Sequence, residues 1–520
     1  MLKIKFYDTT LRDGSQAEGI NFSLQDKVVL AQRLDDLGFD FIEGGYPASN
    51  EKDTQFFQNV KEKTMVCAKI SAFGMTRRKG IAAKDDPGLK SLLEAETPYV
   101  TIVGKSSVFQ AIEIIRSTRE ENLEMITETI RFFVDNGRKV IFDAEHFFDG
   151  WKDDPEYSLL TLKAAVEAGA ETVVLCDTNG GSMSDEIAAG VRAALETVKA
   201  FGATVGIHTH NDCGMAVANS IAAVEAGATQ VQGTINGFGE RCGNADLIQI
   251  AAILALKKQS YEVLKPESIA RLTEFSRFVY EMVNLPPSKR QPFVGKSAFA
   301  HKGGMHVSGI HRSSNAYEHI DPVLVGNERR VLVSELSGRS NIVAMAEKHG
   351  IESNELLIKK ILTEVVARES RGYQYELAEG SFNILVRRLS GKFKPHFEGL
   401  QYRVIIESDN KGKMISEATV KTRVNNNERY EVSEGNGPVD ALNRAMHKAL
   451  DPFYPSLAEI KLTDYKVRVI DSESGTDAHV RVIIESTDGH DVWGTVGVNE
   501  NIIEASWEAI ADSFEYKLSK

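Results

Sequence analysis

Two histidines one residue apart, His208 and His210 in "GIHTHND", pose a question of geometry. On a strand, residues i and i+2 point to the same face; on a helix they diverge. If the stretch is a strand, two imidazoles share a face and can grip one cation. A carboxylate beside them would complete a divalent-metal site with positions left for water and substrate. Other ionisable residues follow short apolar runs in the same way. Asp8, Arg12, Asp13 and Gln16 follow the first run, and Glu43 follows "FDFI". Asp143, Glu145 and His146 close "KVIFDAEH"; Asp177, Thr178 and Asn179 close "TVVLCDTN"; Glu240, Arg241 and Asn244 follow "QVQGTINGF". One such residue is explained by an interior hydrogen bond. Recurrence at the same end of successive runs is hard to explain as packing, which would place Val, Ile and Leu there.

The runs themselves are eight β-rich segments, at 4–10, 39–45, 65–74, 99–106, 139–146, 172–178, 204–210 and 230–236. Between them lie segments of helical period. One opens on Ser23-x-x-Asp26 and ends at Gly38; another opens on Ser182-x-x-Asp185 and ends at Gly202. Two more close on Ala-Gly-Ala. Alternating strands and helices predict a parallel sheet, and eight even units in about 250 residues predict a (β/α)8 TIM barrel over 1–260 rather than an open doubly wound sheet. The glycines at 237–243 lack dinucleotide-fingerprint spacing. Catalysis in a barrel sits at the carboxyl ends of its strands. Ring closure sets strand one beside strand eight, two places from strand seven. That brings Asp13 within reach of His208 and His210, and Asn244 can add an amide oxygen. Mg2+, Mn2+ and Zn2+ all suit this set. Thr209, between the histidines, is predicted to point into the barrel wall.

Acids outnumber bases, 74 to 61, for a net charge of −13, which argues against a nucleic-acid partner. No apolar run approaches the ~20 residues that span a bilayer. Met1 leads directly into "LKIKFYDTTLRDG" with no signal-peptide pattern, so a cytoplasmic protein is expected. The four cysteines are scattered without a C-x-x-C pair and are expected as free thiols. Residues 261–378 read as a linker and helical subdomains. "NLPPSKRQPFVGKSAFAHKGGMHVSGIHR" reads as extended, while "SNIVAMAEKHG" and "NELLIKKILTEVVARESRG" read as helices. Residues 379–520 read as an α+β domain of two pseudo-repeated halves. There, Gly435-Asn436-Gly437-Pro438 precedes a helix, where backbone N–H groups could receive an effector's carboxylate; an ordinary helix start with Pro at N1 fits equally.

"YDTTLRDGSQ", "EGGYPASN", "IHTHNDCGMAVAN" and "GFGERCGNADL" resemble the motifs of the Claisen-condensing acyltransferases: the isopropylmalate, homocitrate and citramalate synthases. These are metal-dependent barrels related to hydroxymethylglutaryl-CoA lyase. The resemblance spans the chain. "SAFAHKGGMHVSG" and "NAYEHIDP" resemble the inter-domain segment, and the last region resembles the amino-acid-binding regulatory domain. "DTTLRDGSQAEGINFS" with "IEGGYPASNEKD" is most similar to the (R)-citramalate synthase branch. "GERCGN" replaces the lyases' Gly-Gly-Cys-Pro segment and favours a synthase. The resemblance implies condensation of acetyl-CoA with pyruvate and water, with 2-oxoisovalerate or homocitrate chemistry as alternatives. It implies that Arg12 stabilises the alkoxide, that Glu145 moves protons, and that Thr178 binds the substrate carboxylate, with Asp143 tuning the 2-oxo-acid pocket. His306 and Tyr317 match linker residues that reach an active site, often of the neighbouring subunit; the residues alone do not choose among His301, His306 and His311. A homodimer and feedback by a branched-chain amino acid, isoleucine if the product feeds that pathway, are further implications. No biotinyl Met-Lys-Met site supports a carboxyltransferase, and the intact polar set argues against an amino-acid sensor on a dead barrel.

Overall fold

Eight parallel strands close into a barrel: β1 Lys5–Asp8, β2 Phe41–Glu43, β3 Lys69–Met75, β4 Tyr99–Lys105, β5 Lys139–Glu145, β6 Thr172–Asp177, β7 Thr204–Thr209 and β8 Gln230–Gly233. Seven lie within the segments expected from sequence, and β3 runs one residue past its segment, to Met75. The computed structural model describes residues 1–520 except 48, 259, 334–340, 344–353, 392, 409–413 and 471–477. The chain forms two compact units, Met1–Phe299 with Ile320–Glu328, and Ala300–His319 with Arg329–Lys520. Among the described residues, no helix is long and apolar enough to cross a membrane.

Parallel strands carry helices on their outer face, so both faces are buried, as in β6, where all six residues are. The inward residues change character along each strand. Tyr7, Phe41, Ile141 and Val174 form a small apolar cluster in the lumen. Two residues nearer the carboxyl end of the same strands stand Glu43, Asp143 and Cys176, all buried. The period of two puts both sets on one face, apolar first and polar after.

The flanking helices start and stop largely as their sequence signals require. Ser23 and Asp26 form a reciprocal capping box for the helix Leu24–Leu37, which Gly38 ends at φ 90°. The helix after β6 begins one residue later than its Ser182 signal, at Ser184–Val198. Its opening amide, Met183 N, donates to Glu186 at 2.8 Å, while the Ser182 hydroxyl donates to Asp177 at 2.9 Å. A strand-end carboxylate has outcompeted the helix for that serine. The loop after β2, which fixes Glu43, is anchored by a buried pair. Lys27 is 2% exposed, pairs with Asp53 and donates to Gly44 O at 3.1 Å. Asp53 also accepts from Tyr46 N at 3.1 Å. Gly45 sits at φ 139°, where a Cβ would meet the Asp53 carboxylate.

In the second unit, β9 Glu398–Ser408, β10 Met414–Val424 and β11 Asn427–Gly435 form an antiparallel sheet followed by the helix Pro438–Leu450. Strands β12 Lys461–Val469, β13 Val480–Thr487 and β14 Val492–Asn499 repeat the pattern before the helix Ile502–Ser519. The two expected halves are thus each three strands and a helix. Glu355–Ser370 is helical as expected; of "SNIVAMAEKHG" only 341–343 are described, as helix, and 340 and 344–350 lie outside the described residues. The segment read as extended contains a helix, Gly304–Arg312, in which Val307 is buried. Its two glycines at the entry masked the helical pattern.

Burial holds the Lys27 pKa below its usual value even beside Asp53. Asp53→Ala leaves that ammonium without a counter-charge and is expected to destabilise the barrel by about 3 kcal/mol in urea denaturation.

Candidate active site and metal centre

His208 is on β7 and His210 follows it, both buried on the lumen side. Thr209 points outward, its hydroxyl donating to Ala216 O at 3.0 Å. Strand β1 pairs with β8 from Lys5↔Gln230 to Asp8↔Gly233, and β8 pairs with β7. This closure carries Asp13, on the loop after β1, to the histidines. Asp13 Oδ2 lies 3.3 Å from His208 Nε2, which lies 3.3 Å from His210 Nε2. One ligand atom from each of the three lies within 4.8 Å of the others.

The donor set fits a divalent cation. His208 Nδ1–H donates to Gln232 Oε1 at 2.8 Å, so in the neutral ring the Nε2 lone pair faces Asp13 and His210; burial opposes a second proton, but Asp13 outweighs it and raises the His208 pKa. Burial, then the charge of His208, push His210 down to about 4, so its imidazole is neutral near pH 7. Burial opposes ionisation of Asp13, but Arg12 and His208 outweigh it and hold the carboxyl well below the usual range. Two lone-pair nitrogens and a carboxylate at such separations repel unless a proton or a cation lies among them. Asn244 also faces the cluster, with Nδ2 2.9 Å from Asp13 Oδ2 and 3.1 Å from His208 Nε2. The expected amide oxygen points away and is buried without a partner among the described residues. Turning the amide end for end brings that oxygen to the cluster.

Around this centre lies a cavity of about 240 Å3 whose lining includes Arg12, Asp13, Asp143, Glu145, Thr178, His208 and His210. Arg12 is locked in place. Its Nε donates to Glu43 at 2.5 Å, its guanidinium meets Asp13 at 3.3 Å, and it lies 3.9 Å from the centre of the Phe73 ring. Burial works against its charge, but Asp13 and Glu43 raise its pKa further above the ordinary arginine value. Burial, then Glu43, push Asp143 up to about 7. Asp143 accepts from Gln232 Nε2 at 2.9 Å. Glu145 is ion-paired with Lys105. Thr178 Oγ1 accepts from His146 N at 2.8 Å, so its hydroxyl hydrogen is free to donate elsewhere. His146 itself sits at φ 58°, a strained conformation next to Glu145.

A second cavity, about 280 Å3, shares Val103 and Glu145 with the first. It combines Arg77, Arg78, Lys79 and Lys105 with Met75, Leu89, Ile115 and Met125.

His306 and Tyr317 belong to the second unit, where their rings stack 4.1 Å apart. Gly309 makes the room, since a Cβ there would lie 2.5 Å from the Tyr317 ring. The two other linker histidines differ from it. His301 is buried and bonded to Glu318 at 3.1 Å, and His311 lies in the last turn of the helix. Also in the second unit, Gly437 caps the helix Pro438–Leu450. The Asn436 amide donates to Asp440 at 2.8 Å, and Gly435 lets Ala441 approach, whose N would lie 2.3 Å from a Cβ.

Sequence reasoning noted Glu43, Glu240 and Arg241 as strand-end residues but gave them no role. Gln232 and Phe73 went unnoticed. Their signal was alternation: Gln230 and Gln232 share the lumen face of β8 in "QVQG".

The HMGL-like family model matches residues 3–279. The homocitrate synthase post-HMGL domain-like model matches 293–372, and the LeuA allosteric (dimerisation) domain model matches 376–518. The chain is 50% identical to the (R)-citramalate synthase of Aquifex aeolicus, over 100% of its own length and 98% of that protein's. The same figures hold for the (R)-citramalate synthase of Geobacter sulfurreducens. The probable 2-isopropylmalate synthase of Methanopyrus kandleri is 32% identical, over 98% of this chain and 97% of its own length.

Asp8, at the end of β1, is fully buried, and burial pushes its pKa up to about 7 from 3.8. Between those values the folded state keeps a proton that the unfolded state releases, so stability falls as pH rises and then levels off. Asp8→Asn removes this dependence. The variant is expected to gain on the parent by up to about 4 kcal/mol between pH 4 and pH 8, read from denaturation midpoints across pH.

Proposed function

The chain belongs to the HMGL-like family and, within it, to the (R)-citramalate synthase branch, and on that premise we propose that it condenses acetyl-CoA with pyruvate and water to give (R)-citramalate and CoA. It is an acyltransferase whose acyl group becomes an alkyl group on transfer. The observation that carries the reading is the meeting of Arg12, Asp13, Glu145, Thr178, His208 and His210 on one cavity.

The difficulty of the reaction is the weakly acidic methyl group of the thioester. Asp13, His208 and His210, with Asn244 beside them, would hold a divalent cation, Mg2+, Mn2+ or Zn2+. When bound, it supplies Lewis acidity at the keto and carboxylate oxygens of the 2-oxo acid. Thr178 donates its free hydroxyl hydrogen to the substrate carboxylate. Glu145, at the seam of the two cavities, takes the methyl proton, and Lys105 sets its orientation. The methyl carbon then bonds to the keto carbon, whose oxygen becomes an alkoxide. Arg12, held by Glu43 and Phe73, faces that developing charge without having to reorganise. Proton return to the alkoxide gives the alcohol, and water cleaves the thioester, releasing CoA. The second cavity suits the CoA arm, apolar along its length and basic for phosphates.

His306 and Tyr317 act as a further acid–base pair delivered by the linker of a neighbouring subunit in a homodimer. Their exposure and mutual stacking support this role over the buried, bonded His301. The C-terminal domain, matched to an allosteric dimerisation family, binds an amino-acid effector, isoleucine, which lowers turnover as it accumulates. The product thereby feeds branched-chain amino-acid synthesis in the cytoplasm.

Thiol release from acetyl-CoA with a panel of 2-oxo acids tests the reading. Pyruvate is expected to be the best acceptor, EDTA to abolish release, and isoleucine to slow it. Faster turnover of 2-oxoisovalerate than of pyruvate would overturn the assignment. Glu145→Gln is expected to lower kcat by about 10²–10⁴-fold while the KM for pyruvate changes little.

A further inference from the structure

We propose that Gln232 is a positioning residue for the metal centre: it holds His208 with the ring proton on Nδ1 and the Nε2 lone pair turned to Asp13 and His210, and Asp143 holds Gln232 in turn. The inference rests on the metal-dependent reading above.

Gln232 and His208 are direct partners on neighbouring strands β8 and β7. Gln232 is fully buried, and it does not line the cavity, so substrate is not its ligand. Its Oε1 accepts from His208 Nδ1–H at 2.8 Å, and its Nε2 donates to Asp143 at 2.9 Å. Asp143 stands on β5, three strands away around the ring, so the amide bridges the lumen. An amide has one accepting end and one donating end. The nitrogen end faces Asp143, which accepts from it, and the oxygen end is left for the imidazole. Only a protonated Nδ1 can meet that oxygen. The relay therefore has one direction, and it leaves Nε2 bare where a ligand atom is needed. The opposite orientation needs a protonated Asp143 to meet the amide oxygen and moves the histidine proton to the metal-facing nitrogen.

Two contrasts mark Gln232 out. Gln230, two residues earlier on the same face, has neither amide end partnered among the described residues. His210 Nδ1 is likewise without a partner there, so the protein locks one of the two histidines and leaves the other to follow.

The test is calorimetric titration of Mn2+ into chelator-stripped full-length protein. Gln232→Met keeps length and removes both hydrogen bonds; it is expected to weaken Mn2+ binding about 10–100-fold. Gln232→Glu keeps the acceptor and is expected to stay within about threefold of the parent, a difference that packing alone would not produce. Absence of stoichiometric binding to the parent would overturn the metal reading itself. Equal binding by parent and Gln232→Met, or equal loss in both variants, would overturn the relay alone. Imidazole 15N shifts in the Zn2+-loaded parent read the arrangement without any variant: metal on His208 Nε2 with Nδ1–H supports the relay, and metal on Nδ1 overturns it.

Discussion

Everything at the site depends on one pairing, β1 against β8. Asp13 and His208 are far apart in sequence, and no local preference brings them together. Four backbone register pairs, Lys5↔Gln230 to Asp8↔Gly233, do so by closing the ring. Loop-closure entropy of this kind grows slowly with chain length, so a long-range contact is affordable once the strands are stable. Closure also removes the sheet edges, and every barrel strand thereby has a neighbour on both sides.

The closed ring then concentrates charge in a small, buried volume. Glu43, Asp13 and Asp143 surround Arg12, and the guanidinium answers two of them directly. Asp143, left with an amide as its hydrogen-bonding partner, is pushed up to about 7 by burial and then by the neighbouring Glu43. One cation thus sorts three carboxyl groups into different states. Asp13 is kept ionised and can serve as a ligand, Glu43 is consumed as an anchor, and Asp143 is poised near neutrality. Burial of such a cluster is weak evidence for stability. It is better understood as preorganisation, with fixed charges aimed where a reaction will develop its own.

The architecture was legible from periodicity because strand and helix alternate without long interruptions. The candidate ligands were legible for a narrower reason: His208 and His210 are two apart on a strand, and Asp13 follows the strand that closure brings near. Three things were not legible. Ser182 looked like a helix cap, and only the fold reveals the nearer claim of Asp177. The orientation of Asn244, with its nitrogen toward Asp13, has no sequence signature. Gln232 reads as an unremarkable strand residue until the lumen sets Asp143 opposite it. In each case the deciding partner is distant along the chain or belongs to the interior of a closed ring.

The same reasoning separates glycines that bear on ligands from those that bear on packing. The Gly435–Gly437 turn has the look of an anion cradle, yet Gly435 is required because a Cβ would strike the Ala441 backbone. The Asn436 amide is engaged by Asp440 in the first turn of its own helix. An incoming carboxylate must therefore displace Asp440 or use the remaining amides of that turn, and it must do so against a like charge. At the barrel the relation is reversed. Asp13, His208 and His210 turn ligand atoms toward one another within 4.8 Å. Groups that crowd together and call for a shared cation, against met demand at the turn, are the physical difference between a metal centre and a helix that simply begins well.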